Sequence, residues 1–223
     1  MSDSTHSLAV IDYYTDMLCV WAWIAQPRLE ELQRQWGKQI EVRHRYVDIF
    51  GDSHTKITQR WGQHDGFEKF SAHVMDSAAP FNGTPIHPDT WKRIKPRSSL
   101  SAHLFLKAIA VVSGDEMVQS MSLRIRQAFF VDGQDISQFA LLLDLAEEQN
   151  IDSKVLKDSL MDGRAMASLS RDQQSARDLG VKGSPTWVLN EGRQTLSGNV
   201  GYRILNANIE ELLKHPGAEA SWC

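Results

Sequence analysis

Cysteine is scarce in this chain. There are two, Cys19 and Cys223, in 223 residues. They are too few and too far apart to form a disulfide framework, which excludes the small cross-linked secreted scaffolds. Long apolar runs are also missing. None approaches the roughly 18 residues that read as a membrane span, so no membrane partner is expected. Positive charge is not in excess either. Lys and Arg number 24 against 28 Asp and Glu, for a net charge of −4, and a nucleic-acid partner would need a basic face. The opening stretch MSDSTHSLAVIDYY lacks the basic and apolar regions of a secretory signal, which leads to the expectation of a cytoplasmic protein. Phosphate-binding and hydrolase motifs are absent. His54, His64, His73 and His87 fit no metal-ligand spacing, so no metal is expected.

What is present is a change of pattern along the chain. LAVIDYY (8–14) is a short run of branched and aromatic residues and reads as a buried strand. From Cys19 to Gly37 the apolar residues recur at helical spacing, with a kink expected at Pro27 and a stop at Gly37. IEVRHRYVDI (40–49) alternates like a second strand, and a connecting helix of this length suits parallel pairing. Residues 55–178 then carry almost no strand signal. A proline-rich stretch (82–97) is followed by helical segments at 98–113, 116–131, 137–150, 153–163 and 166–180, with Ser137 and Ser153 as expected N-caps. Strands return at PTWVLN (185–190) and RQTLSG (193–198) around a Glu191–Gly192 turn, and an amphipathic helix (201–215) closes the pattern. The order is β-α-β, a helical insertion, then β-β-α. The expected division is residues 1–54 with 179–223 as one α/β domain and 55–178 as the inserted helical domain.

Two features carry chemistry. Cys19 follows a strand and opens a helix. Unpaired amides and the helix dipole favour negative charge there, so a depressed thiol pKa and a nucleophilic thiolate are expected; the competing reading is a core cysteine. Ser184–Pro185 opens the first strand of the second half, where a cis bond would leave backbone free to pair with a bound chain; the competing reading is a trans proline at a strand start. Trp23 reads as core packing, His103 as packed or solvated, and Trp61 and Trp91 as candidate walls of a cleft between insertion and core.

Taken together, DYYTDMLCVWAWIAQPRLEEL, SSLSAHLFLKA, AFFVDGQDISQFALLLDLAEEQNID and GVKGSPTWVLN resemble the DsbA family. The resemblance extends over nearly the whole chain. It implies a thioredoxin-like fold interrupted by helices, a cis-proline beside the thiol, and thiol–disulfide oxidoreductase activity. The chain departs from the family at the motif itself: Val20 stands for the usual Pro and Ala22 for the second cysteine of C-x-x-C. Ala22 cannot resolve a mixed disulfide, which leaves a monothiol route with Cys19 as nucleophile. Val20, Trp21, Ala22, Ser184 and Pro185 are the expected substrate-binding residues. Cys223 is a candidate resolving thiol, on a nine-residue tail (215–223) that reaches roughly 30 Å if nearly extended, or a thiol that pairs with Cys19 of another subunit in an oligomer. The expected partners are a thiol or disulfide substrate, peptide or glutathione, with glutathione as co-substrate and no bound cofactor. The sequence also looks like the kappa-class glutathione transferases and 2-hydroxychromene-2-carboxylate isomerases. A glutathione-dependent isomerase or transferase is therefore one alternative, and a non-enzymatic peptide binder or chaperone the other.

Overall fold

The computed structural model describes residues 8–216. β1 (Ala9–Thr15) leads into α1 (Val20–Trp36), which returns the chain to β2 (Ile40–Tyr46). The two strands pair in parallel with Tyr13 opposite His44, as a helical crossover requires. β3 (Thr186–Leu189) lies antiparallel to the other edge of β1, and β4 (Gln194–Ser197) antiparallel to β3, so the sheet order is β2-β1-β3-β4. The turn between β3 and β4 puts Asn190 and Glu191 at positive φ ahead of Gly192. α9 (Tyr202–Lys214) closes the chain against the sheet.

Between β2 and β3 the chain is helical: α2 (Ser53–Trp61), α3 (Gly66–Ala78), α4 (Leu100–Ser113), α5 (Asp115–Phe130), α6 (Phe139–Glu148), α7 (Ser153–Met161) and α8 (Arg164–Asp178). The last five agree closely with the periodicity. α2 and α3 were not anticipated: polar residues outnumber apolar ones in α2 and equal them in α3, which obscures a buried stripe. Two expected caps shift. Asp152 rather than Ser153 caps α7, its carboxylate accepting from the amides of Lys154 and Val155, since a charged acceptor is favoured at a helix N-terminus. Ser137 instead bonds Asp135 in the turn before α6, which starts one residue after Gln138. α1 runs on through Pro27, which is itself exposed. It ends at Gly37, where φ is +50°, a conformation glycine adopts without steric cost.

Alternation along β1 divides the interior. Ile11 and Tyr13 pack with Trp187 and Leu189 beneath Leu29 and Leu32 of α1 and Leu205 and Ile209 of α9. Tyr14 and Val188 face the opposite side, against Ala176 of α8. The largest cluster joins the turn at Met17–Ile24 to Phe70 of α3, Phe105 of α4 and Phe129 of α5. The insertion therefore shares its core with the segment that carries Cys19. Among the described residues no helix is long and apolar enough to cross a membrane.

Buried charge fastens the insertion to the sheet edge. Asp172 of α8 accepts from the amide of Tyr46 at 3.0 Å, pairs with Lys107 of α4 at 2.5 Å and with Arg45 of β2 at 3.3 Å. Arg45 also holds Asp12 at 2.7 Å. Lys107 is buried, and its remaining bond goes to the carbonyl of His44. Removing Asp172 leaves an uncompensated buried ammonium. Asp172→Ala is expected to cost roughly 3–5 kcal/mol in urea unfolding, whereas the double change Asp172→Leu with Lys107→Met should recover most of that loss. Equal losses in the two variants would show that the pair is not the tie described.

Candidate functional site

Cys19 caps α1 at its N-terminus with extended backbone, and its carbonyl accepts from the amides of Ala22 and Trp23 at 3.1 Å. The thiol donates to the carbonyl of Ser184 at 3.1 Å. The Ser184–Pro185 peptide bond is cis. The Ser184 hydroxyl accepts from the Asp16 amide at 2.9 Å, so the two segments, 165 residues apart, are joined at two points.

The thiol lies at one side of a cleft of about 390 Å3 lined by Val20, Trp21 and Ser184 and walled by Ile49, Phe50, Trp61 and Phe70. Lys56 and Arg60 of α2, His73 of α3 and Lys182 complete its rim. Lys56 also donates to the carbonyl of Ile49 at 2.6 Å and sits over the Phe50 ring. The cleft is thus apolar at its wall and cationic at its edge. Not all expected binding residues reach it. Ala22 is fully buried in the core, and Pro185, also buried, is not among the lining residues. Trp23 packs as expected, stacked on Phe130 with its Nε1 donating to the Pro85 carbonyl. Trp61 lines the cleft, whereas Trp91 is buried against Phe50 and Phe129. Cys223 and Trp222 lie outside the described residues. No cluster of His, Cys, Asp or Glu among the described residues could hold a metal ion.

The expected depression of the thiol pKa is reversed in this structure. Cys19 is 6% exposed, and burial pushes its thiol up. The hydrogen bond to Ser184 and the amides of Ala22 and Trp21 pull it back, while the nearby Asp16 charge adds to the rise. The helix N-terminus is in place, but removing the thiolate from water outweighs it.

Asp16 is the main residue that sequence reasoning missed. It is fully buried, and one carboxylate oxygen accepts from the Leu18 amide at 2.8 Å. The other accepts from the Phe50 amide at 2.9 Å and the Ser99 hydroxyl at 2.7 Å. His103, buried beside it, accepts from the Met17 amide at 3.1 Å through Nε2. An acid three residues before the thiol, in the turn between strand and helix, was the available signal; its partners Phe50 and Ser99 are distant in sequence. Burial pushes the Asp16 carboxyl up to about 6, against the lowering effect of the Phe50, Leu18 and Ser99 hydrogen bonds. Between about pH 4 and about pH 6 the folded protein keeps a proton that the unfolded chain has released, so this group's contribution to stability falls as pH rises through that window. His44 and His103, both pushed down to about 3 chiefly by burial, act in the opposite direction below about pH 6.5, so the Asp16 effect is read as a difference. The unfolding free energy of the wild type minus that of Asp16→Asn should fall by on the order of 3 kcal/mol between pH 4 and pH 7. A difference that does not change with pH sinks this assignment.

A curated relative, the ClpXP adapter protein SpxH of Halalkalibacterium halodurans, is 25% identical over 212 residues, covering 91% of this chain and 68% of its own length. Among solved structures, the cytosolic disulfide reductase DsbM of Pseudomonas aeruginosa superposes with a TM-score of 0.69 at 21% identity, over 90% of this chain and 98% of that one, and has also been solved with GSH. A 2-hydroxychromene-2-carboxylate isomerase superposes with a TM-score of 0.65 at 17% identity, over 93% and 97%. The structural likenesses show the fold. The model of the DSBA-like thioredoxin domain matches residues 10–210, nearly the whole of the described structure, and the chain belongs to that family.

Proposed function

We propose that the protein is a thiol–disulfide oxidoreductase that works through Cys19 alone, with glutathione or a similar anionic thiol as its co-substrate. The observation that carries this reading is the position of Cys19, a thiol at a helix N-terminus that opens on a cleft rimmed by Lys56, Arg60 and Lys182, with Ala22 where a resolving cysteine would stand. The Cys19 thiolate attacks one sulfur of a substrate disulfide, forming a mixed disulfide and expelling the other sulfur as a thiolate. A second, external thiolate then attacks the mixed disulfide. It frees Cys19 and leaves joined to the substrate sulfur, so each turnover consumes one external thiol, releases one substrate thiol and yields a new disulfide between the external thiol and the remaining substrate sulfur. Ala22 rules out release by a neighbour at position 22, and the external thiol supplies that step. The tripeptide glutathione carries two carboxylates that the cationic rim would hold. In the free protein burial keeps Cys19 a thiol that donates to Ser184. When thiolate forms, it lies in a cleft lined by the half-buried Lys56, whose charge favours it. The named relatives support the reading at this level: one neighbour is a cytosolic disulfide reductase, also solved with GSH.

Binding without thiol chemistry is the second reading. It is favoured by the burial that raises the thiol pKa, and by the relative named as an adapter protein. The two readings part on one variant. With glutathione and a small disulfide substrate, Cys19→Ser is expected to lower turnover at least about 100-fold, and the mixed disulfide at Cys19 should disappear from the intact mass spectrum. Lys56→Gln is expected to raise the pH midpoint of Cys19 alkylation and the KM for glutathione about tenfold, roughly the worth of one charge-assisted contact. Turnover unchanged in Cys19→Ser would remove the thiol route. If a bound protein or peptide were retained as well, the binding reading would stand.

A further inference from the structure

Arg126 lies on α5, one turn beyond Ser122, and is fully buried. Its two terminal nitrogens donate to neutral oxygens, Gln26 Oε1 at 3.1 Å and Thr15 Oγ1 at 2.6 Å. None of the ion pairs among the described residues includes it. Its Nε–H has no partner. A guanidinium out of water without a counter-charge is among the costliest arrangements in a protein interior.

Two other buried groups share this region: the Tyr13 hydroxyl, which lies by the Thr15 side chain but makes no close hydrogen bond, and the His44 ring, neither of whose nitrogens has a partner. Tyr13 and His44 are direct neighbours across β1 and β2, with their rings edge to face at 5.9 Å. Thr15, which Arg126 grips, lies two residues along β1 on the same face of the sheet as Tyr13. Phenol, imidazole and guanidinium therefore gather where that face meets α1 and α5. The Arg126 charge bears on both neighbours: it opposes the burial that raises the Tyr13 phenol, and adds to the burial that keeps His44 neutral. The three groups together carry one positive charge and no negative one.

We propose that this cluster is an internal binding site for a small monovalent anion of the halide type, chloride foremost, held by the Arg126 Nε–H and the Tyr13 hydroxyl beside His44. A halide supplies the missing negative charge and accepts hydrogen bonds from any direction, so it can serve a guanidinium N–H, a hydroxyl and an imidazole N–H together. Its place would be structural. It would neutralise the cation that ties α5 to the end of β1, four residues before Cys19. The inference is independent of the oxidoreductase reading.

Bromide tests it directly. In crystals of the full chain purified and grown in sodium bromide, an anomalous peak is expected in contact with Arg126 Nε and Tyr13 Oη. In solution, sodium chloride should raise the Tm along a saturable curve, by roughly 5 °C near saturation, relative to sodium gluconate at equal ionic strength. Tyr13→Phe keeps the ring packed on Trp187 and removes one donor. It should shift the half-saturating chloride concentration upward about tenfold. A crystal without the bromide peak, or a Tm that is the same in the two salts for both proteins, overturns the proposal and leaves water as the partner of these groups.

Discussion

One buried carboxylate sets the geometry around the thiol. Asp16 accepts hydrogen bonds from its own turn through Leu18, from the segment after β2 through Phe50, and from the start of α4 through Ser99. Two further bonds support the junction, from the Ser99 amide to the Phe50 carbonyl and from the Met17 amide to His103. The turn that delivers Cys19 to the mouth of α1 is thereby locked both to the sheet and to the helical insertion. This lock has an electrostatic consequence. A carboxylate taken out of water resists ionising, and when ionised it opposes a thiolate three residues away.

The site is accordingly a balance between opposed influences. The N-terminus of α1, the amides of Trp21 and Ala22 and the cationic rim favour sulfur in its charged form, while burial and Asp16 favour the neutral thiol. In the free protein the neutral form prevails and donates to Ser184. A substrate that brings negative charge to Lys56, Arg60 and Lys182 and excludes the remaining water changes the terms of that balance. The arrangement also explains why position alone was a poor guide to the thiol pKa. The helix terminus is a local property, readable from the order strand–Cys–helix, but desolvation depends on everything packed over the sulfur, including residues from α2 and α3 that no periodicity announced.

Much of the fold was legible because it rests on local pattern. The branched run at 8–14, the helical spacing after Cys19 and the alternation at 40–49 each report a face that must be buried, and α4 and α5 of the insertion carry long apolar stripes. α2 escaped notice because Ile57 is its one fully buried apolar side chain, while Lys56 and Arg60 face the cleft; α3 sets its buried Phe70, Val74 and Ala78 among polar residues as numerous as its apolar ones. The rim cations were illegible for the same reason. A lysine or arginine on a short polar helix looks like any solvated residue until the fold turns that helix toward a thiol.

By itself the sequence determined the element order, the isolation of Cys19 without a partner at position 22, and the proline just before β3, since each follows from residue identity and short-range spacing. Tertiary structure decided what those residues do. It brought Ser184 to the thiol across 165 residues, turned Ala22 into the core, chose Asp16 as the lock and left Arg126 buried without an acid. The reason is physical: hydrogen-bond partners and solvent exclusion are properties of positions in space, and they are set only when separate stretches of the chain pack together.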